Sequence, residues 1–254
     1  MNTERDVAVQ RFANSTSENW QLVGTVTWGV GIALIFFVTN IITTLIIALR
    51  GQGDLSEEKI SVLLASASGD GVVLSVATFV TTLVCVPVVV GVAKLKKHSN
   101  IKDYFALKAV PIRSLMVWLG ILIIFNALSD GLTVLLGKPI VPEFMGVAYA
   151  SARPAWMLWL AFVVAAPLFE ETFFRGFLFT GFASSVVGPL GAVAITSVLW
   201  AAIHMQYDLY GIGTLFLLGI LLGLARMLTG SLIVPLALHS ISNIIAVAET
   251  ALLG

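Results

Sequence analysis

Residues 23–49 read VGTVTWGVGIALIFFVTNIITTLIIAL, a run of 27 residues without one ionisable side chain. A helix that crosses a lipid bilayer needs about 20 consecutive, mostly apolar residues. The run is longer than that, so it predicts a transmembrane helix. The chain is therefore expected to be a membrane protein.

Comparable apolar runs recur along the rest of the chain and predict an all-α, polytopic transmembrane helix bundle of about seven to eight spans. The further spans are expected at about residues 71–93, 112–136, 155–182, 190–205, 209–228 and 232–254. Residues 56–68 are too short to cross a bilayer and are expected to form an amphipathic surface piece or an eighth half-helix. Three parts follow: a polar tail (1–20), N-terminal helices with a basic loop (21–149) and a core made by the last four helices (150–250).

The composition of the chain excludes several classes of protein. Of its 254 residues, 58% are hydrophobic and 11% are charged, whereas a soluble domain has about a quarter of its residues charged. Fourteen basic residues balance fourteen acidic ones, so the basic excess of a nucleic-acid-binding protein is missing. A single cysteine, Cys85, can form neither an internal disulfide nor a cysteine-rich metal site.

The loop between the second and third predicted spans predicts the orientation of the chain. It carries six basic residues, namely Lys94, Lys96, Lys97, Lys102, Lys108 and Arg113. Cytoplasmic loops are enriched in lysine and arginine. This loop and the N-terminal tail are therefore expected in the cytoplasm, and the chain is expected to be a multi-pass protein of the cell membrane.

Three ionisable residues interrupt the fourth apolar run, in the stretch FEETFFRG at 169–176. Each charge at membrane depth costs on the order of 3 kcal/mol or more, so such residues need a partner or a function. Glu171 and Arg175 are four residues apart and share one helix face, where they can pair. Glu170 lies about 100° around the helix and is the carboxylate left for chemistry. The alternative is that all three residues form a buried ionic staple between helices.

Polar residues on two later runs complete an acid–base set. His204 ends the fifth run, and His239 and Asn243 lie four residues apart on the seventh. A hydrolase that activates water needs a base such as a buried glutamate, with donors for the oxyanion such as His and Asn. Glu170, His204, His239 and Asn243 fill these roles.

Zinc is the alternative chemistry for the same residues. Two histidines and a glutamate match a known set of catalytic zinc ligands, and here the ligands would be Glu170, His204 and His239. The sequence contains no H-E-x-x-H, and the two histidines lie on separate runs. The residues alone leave both chemistries open: no cofactor is favoured, and zinc is possible.

These residues also resemble three motifs of the CPBP family of intramembrane proteases. The family, also called Abi after its bacteriocin-immunity members, includes the type II CAAX prenyl endopeptidases. The stretch EETFFRG at 170–176 resembles the first motif. Trp200 with His204 resembles the second, in which many members have Phe at the first position, and His239 with Asn243 resembles the third. The likeness covers roughly residues 150–250.

The resemblance implies an intramembrane endopeptidase in which Glu170 and His204 activate the attacking water. It further implies that His239 and Asn243 stabilise the oxyanion, while Glu171 and Arg175 shape the site. The expected partners are the lipid bilayer and a peptide or protein substrate, which in relatives is lipidated. A bacterial plasma membrane is the expected location, with a role in peptide processing or bacteriocin immunity.

Two other classes of function stay open. Charged residues on interrupted helices also suit a small transporter or ion-coupled carrier, and a non-catalytic immunity or scaffold protein could keep the motifs as structure. On the third run, Asn126 and Asp130 either line a cavity, make an interhelical hydrogen bond or lie at the outer interface. Arg226 is expected to extend to the membrane interface.

Overall fold

The computed structural model describes residues 19–50, 67, 69–96 and 100–254. In these ranges all regular structure is helical, which confirms the all-α prediction. The helices are α1 (Leu22–Ala48), α2 (Gly71–Leu95), α3 (Ile101–Tyr104), α4 (Ile112–Leu135), α5 (Glu143–Ser151), α6 (Trp156–Ala183), α7 (Gly188–Ala202), α8 (Leu209–Thr229) and α9 (Ile233–Leu253). Apart from Ala67, the predicted amphipathic piece at 56–68 lies outside the described residues, as does most of the polar tail.

Six of these helices, α1, α2, α4, α6, α8 and α9, are long and apolar enough to cross a membrane. The chain is a multi-pass membrane protein. The shorter α7 is apolar and has 15 residues. The predicted fifth span was too long at its C-terminal end, because α7 ends at Ala202 and not at Met205.

Local signals set the ends of the long helices. The Asp70 carboxylate accepts hydrogen bonds from the N–H groups of Val72 and Val73 at 2.8 and 3.0 Å and begins α2. Asp208 does the same for α8 through Gly211. A side-chain acceptor at this position satisfies N–H groups that have no partner inside the helix. Gly230 ends α8 with a φ of 62°, a left-handed conformation that glycine adopts without strain.

Helix α6 lies at the centre of the bundle. In the most apolar part of α6, 50% of the residues are buried. The corresponding fraction is 6% in α1 and in α4, whose aliphatic side chains face outward. Two stretches of α6, Ala161–Ala165 and Glu171–Leu178, have the wider π-helical turn. Pro167 lacks an N–H and so interrupts the hydrogen-bond ladder next to the first stretch. Every residue of the second stretch is buried, and π-helical turns are common at functional sites.

The two ends of the bundle differ in what they contact. At one end the segment after α3 packs on the turn between α8 and α9, where the Leu232 N–H donates to the Ala106 oxygen at 3.1 Å. At the other end Lys138, which follows α4, pairs with Asp208 at the start of α8. The basic loop and the start of α8 therefore lie at opposite ends of the bundle.

A close approach between α1 and α6 gives the first prediction. A Cβ atom on Gly181 would collide with the Thr25 hydroxyl and lie 2.9 Å from its Cβ atom. Thr25 is fully buried, and its hydroxyl donates to the Trp20 oxygen at 3.2 Å. Because overpacking costs about 1–3 kcal/mol, Gly181→Ala is expected to lower the unfolding temperature of the purified protein in detergent.

Gly120→Ala is the matched control, since a Cβ atom there would have nothing within 4 Å. Its unfolding temperature should stay at the wild-type value or rise slightly. Equal unfolding temperatures for the two variants would show that the contact between α1 and α6 is loose.

Candidate active site

Glu171, Arg175 and His239 form a buried polar cluster between α6 and α9. Arg175 Nη1 donates to Glu171 Oε1 at 2.9 Å, and both side chains are fully buried. His239 Nδ1 lies 2.8 Å from the same carboxylate oxygen. The i,i+4 pairing expected for Glu171 and Arg175 is thus present, and it also holds the ring of His239.

The guanidinium of Arg175 is fixed from two further sides, and its main chain is held as well. Its Nη2 donates to the Gly219 oxygen on α8 at 3.1 Å, and its Cζ lies 4.9 Å from the ring centre of Trp200 on α7. A Cβ atom on Gly219 would stand 3.2 Å from that ring, so the glycine permits the close approach of α8. From α8, Arg226 Nε donates to the main-chain oxygen of Arg175 at 3.0 Å.

The expectation for Arg226 was wrong. Its side chain does not extend to the membrane interface but is buried, with 2% of its surface exposed. Burial is possible because the Arg175 oxygen and the Thr180 hydroxyl accept its hydrogens at 3.0 and 3.3 Å, and the Phe179 ring lies against its guanidinium. Arg226 thereby connects α8 to the π-helical part of α6.

Glu170 pairs with a residue other than Arg175, as its position on the helix predicts. Its Oε2 accepts a short hydrogen bond from the indole Nε1 of Trp200. The same oxygen lies 3.9 Å from His239 Nε2. That distance is too long for a direct hydrogen bond. The Glu170 side chain is 15% exposed, against 4% for His239, so it is the carboxylate of this site that solvent can reach.

His204 lies beyond the end of α7, in the turn that leads to α8, and not on the helix as the sequence indicated. Its Nδ1 lies 2.8 Å from the main-chain oxygen of Trp200, and its ring packs edge-on against the Trp200 indole with centres 5.1 Å apart. The His239 ring packs on the same indole at 5.2 Å. Trp200 therefore contacts Glu170, His204 and His239.

Asn243 lies one turn after His239 on α9. Its Nδ2 donates to the main-chain oxygen of Phe162, in the first π-helical stretch of α6, at 2.7 Å. One amide hydrogen is used in this bond, which leaves the other hydrogen and the side-chain oxygen for a ligand.

The hydrogen bonds of the two histidines define their tautomers. A main-chain oxygen and an ionised carboxylate can only accept hydrogen bonds. Nδ1 therefore carries the hydrogen in His204, which faces the Trp200 oxygen, and in His239, which faces Glu171. Each ring consequently presents Nε2 as a lone pair when neutral and as a donor when protonated.

The zinc ligand set considered above does not fit this arrangement. Within the described ranges, no three His, Cys, Asp or Glu side chains are grouped so that they could hold a metal ion.

A half-open cavity of about 670 Å³ lies beside this cluster and is lined by residues of α4, α5, α8 and α9 and of the segments that connect them. Asn243 and Tyr207 line it. Burial and, to a smaller extent, the negative charge of Glu170 raise the pKa of the Tyr207 hydroxyl to about 12. Tyr207 therefore stays protonated near neutral pH, and its ring centre lies 6.2 Å from that of His204.

The sequence did not predict the roles of two residues of this site, Trp200 and Arg226. Trp200 was noted only as a replacement for Phe, yet its indole N–H is the donor to Glu170. The signal was available, because a tryptophan buried among apolar residues needs an acceptor for its single N–H. Arg226 had no comparable signal, since its acceptors belong to residues 175 and 180 of another helix.

Comparison with known proteins gives one family match. Residues 152–245 match the model of the family described as "Type II CAAX prenyl endopeptidase Rce1-like". This segment contains all the site residues named above, and the match confirms the resemblance seen in the motifs.

One curated relative is also similar. An uncharacterized 24.3 kDa protein of Escherichia coli is 42% identical over 83 residues, which is 32% of this chain. The matched part spans 38% of the length of that relative. No solved structure matches the chain significantly.

Proposed function

We propose that this chain is an intramembrane endopeptidase of the CAAX-protease type, which hydrolyses peptide bonds with a water molecule activated by Glu170. The observation that carries the proposal is the gap of 3.9 Å between Glu170 Oε2 and His239 Nε2. Trp200 holds the Glu170 side chain by a hydrogen bond, and Glu171 holds the His239 ring in the same way. A water molecule or a substrate oxygen can contact both atoms across this gap.

Glu170 is the general base in this reaction. It removes a proton from the water as the water attacks the peptide carbonyl carbon. His204, partly exposed and fixed through Nδ1, presents Nε2 as a second hydrogen-bond acceptor for the water, and the protonated Glu170 then gives its proton to the leaving amine. These roles follow the resemblance of Glu170 and His204 to the family motifs.

The negative charge that develops on the carbonyl oxygen needs hydrogen-bond donors. Protonated His239 supplies Nε2–H, and Asn243 supplies its second amide hydrogen. Both residues lie on one face of α9, and both are fixed by hydrogen bonds to α6, through Glu171 and Phe162. Such pre-ordered donors stabilise a transition state without reorganising during the reaction.

Three further points belong to the proposal. The proposed reaction uses no metal, because Glu170 and His204 are the groups assigned to activate the water. The substrate is a peptide or protein, which in eukaryotic relatives of the family carries a lipid. The protein acts in peptide processing or bacteriocin immunity in a bacterial plasma membrane, with its N-terminus in the cytoplasm.

Purified protein in liposomes, incubated with a defined peptide mixture, tests the proposal by mass spectrometry. New peptide termini should appear with the wild type, and His239→Ala should lower their rate of formation by about 10²–10³, the range observed when one oxyanion donor is removed. His98→Ala is the matched control, because His98 is the one histidine outside the motifs and lies in the basic loop.

The outcome that would contradict the proposal is equal cleavage by wild type and His239→Ala. Solute flux into the liposomes without any cleaved peptide would instead support the carrier alternative.

A further inference from the structure

The first π-helical stretch of α6, Ala161–Ala165, ends five residues before Glu170. A π-helical turn is closed by a hydrogen bond between residues five apart instead of four, so it holds one residue more than an α-helical turn. Each residue of an α-helix rotates the chain by about 100°. If this stretch became a regular α-helix, Glu170 would therefore rotate by about 100° relative to the residues before it. The direction in which Glu170 points depends on this turn.

The π-helical turn and Pro167 together leave the Phe162 oxygen without its usual donor in α6. The Ala166 N–H, which would reach this oxygen in an α-helix, donates to the Ala161 oxygen five residues back. In the π-helical register the donor would be residue 167, a proline that has no N–H. Asn243 of α9 supplies the missing hydrogen bond at 2.7 Å. The π-helical turn and the position of Asn243 therefore support each other.

Thr82 of α2 makes a second hydrogen bond to the same stretch. Its hydroxyl donates to the Ala165 oxygen at 2.9 Å, and the residue is 7% exposed. A threonine hydroxyl in a helix commonly bonds to the oxygen four residues earlier in its own helix, as those of Thr133, Thr196 and Thr250 do. Thr82 instead joins α2 to α6 at the residue where the π-helical stretch ends.

We propose that Thr82 is a positioning residue of the peptidase, whose hydroxyl stabilises the π-helical turn that directs Glu170 into the site and presents the Phe162 oxygen to Asn243. The inference rests on the proposed function, in which Glu170 is the base and Asn243 an oxyanion donor. Thr82 acts through the main chain of α6, so its loss should displace these groups without removing them. It lies outside the segment that matches the family model, residues 152–245.

Thr81, the preceding residue of α2, provides a matched control. It is 2% exposed, and its hydroxyl is buried without a hydrogen-bond partner among the described residues. Valine has the shape of threonine with a methyl group in place of the hydroxyl. Thr81→Val removes a buried polar group that makes no bond, so the unfolding temperature should stay at the wild-type value or rise. Thr82→Val removes a hydroxyl of the same kind that does make a bond.

The test is the steady-state cleavage of one synthetic peptide, which contains the bond that the wild type cleaves fastest in the defined mixture, by the full chain in liposomes. Thr82→Val should lower kcat by about 10- to 100-fold, since a displacement of about 1 Å among catalytic groups can cost about 10² in rate. KM should stay near the wild-type value, because the displaced groups act on the transition state. Thr82→Ser keeps the hydroxyl and should restore most of the wild-type kcat, and Thr81→Val should retain it.

Three results of this test would overturn the inference. The first is a wild-type kcat in Thr82→Val. The second is an equal loss of kcat in Thr81→Val or in Thr82→Ser, because packing and not the hydrogen bond would then be the cause. The third is a change in KM alone, which would assign Thr82 to substrate binding.

Hydrogen–deuterium exchange of main-chain amides, followed by mass spectrometry, separates this inference from the proposed function. In Thr82→Val the α6 segment 161–170 should exchange faster by up to about tenfold, the effect of one hydrogen bond, and Thr81→Val should match the wild type. If the wild type cleaves no peptide, the proposed function fails. Faster exchange confined to this segment in Thr82→Val would still support the role of Thr82 in holding the turn. Equal exchange in all three proteins would reject it.

Discussion

Replacement of Glu170 by glutamine is expected to lower the rate of peptide hydrolysis by about 10²–10⁴, the usual contribution of a general base. Glutamine keeps the volume of the side chain and an oxygen that can accept the hydrogen bond from Trp200. It cannot take a proton from water. The effect should fall on kcat more than on KM, because a general base acts on the transition state and not on the bound substrate.

Asp103→Asn serves as the matched control, since it also exchanges a carboxylate for an amide, at an exposed position on α3. Its turnover should equal that of the wild type. Both variants should unfold at the wild-type temperature in detergent. Unchanged turnover in a folded Glu170→Gln protein would reject Glu170 as the base.

The second large effect is expected on stability. Arg175→Met leaves the fully buried carboxylate of Glu171 without its guanidinium partner. Breaking a buried ion pair from one side typically costs about 3–5 kcal/mol, because a charge stays behind in an apolar surrounding. The free energy of unfolding in detergent and denaturant should fall by that amount, and activity should fall with it, since Glu171 also orients His239.

The double variant Glu171→Leu, Arg175→Met shows whether the stability lost in Arg175→Met is due to the unpaired charge of Glu171 or to the loss of the arginine's packing contacts. Removing both charges should restore a large part of the lost stability, since apolar residues can replace a buried ion pair at little cost. Activity should stay low, because His239 has still lost its acceptor. Lys138→Met is the control for an exposed pair and should change stability little. If the double variant were less stable than Arg175→Met, the unpaired charge of Glu171 would not be the cause of the stability lost in Arg175→Met.

The features that could be predicted from the sequence are those that depend on neighbouring residues. Helix α1 was expected because a run of apolar residues can cross a bilayer only as a helix or in a barrel. The pairing of Glu171 with Arg175 was expected because residues four apart share a face. The position of Glu170 away from this pair follows from the same geometry.

Other features depend on contacts between distant parts of the chain, and the sequence does not identify the partners in these contacts. The bond from Trp200 to Glu170 joins residues 30 positions apart, and that from Arg226 to the Arg175 oxygen joins residues 51 apart. His204 was expected on a helix because the apolar run continues past it, yet α7 ends at Ala202. The π-helical stretches of α6 were also missed, since a change of the helical turn leaves no mark in hydropathy.

The most direct test of the central claim is peptide hydrolysis in water labelled with heavy oxygen. Purified wild-type protein should produce fragments whose new carboxyl group contains one labelled oxygen atom, and Glu170→Gln should produce almost none. Such a result would show that the chain uses water to cleave peptide bonds and depends on Glu170 to do so. Labelled fragments formed equally by both proteins, or no cleavage by the wild type with any peptide, would contradict the account.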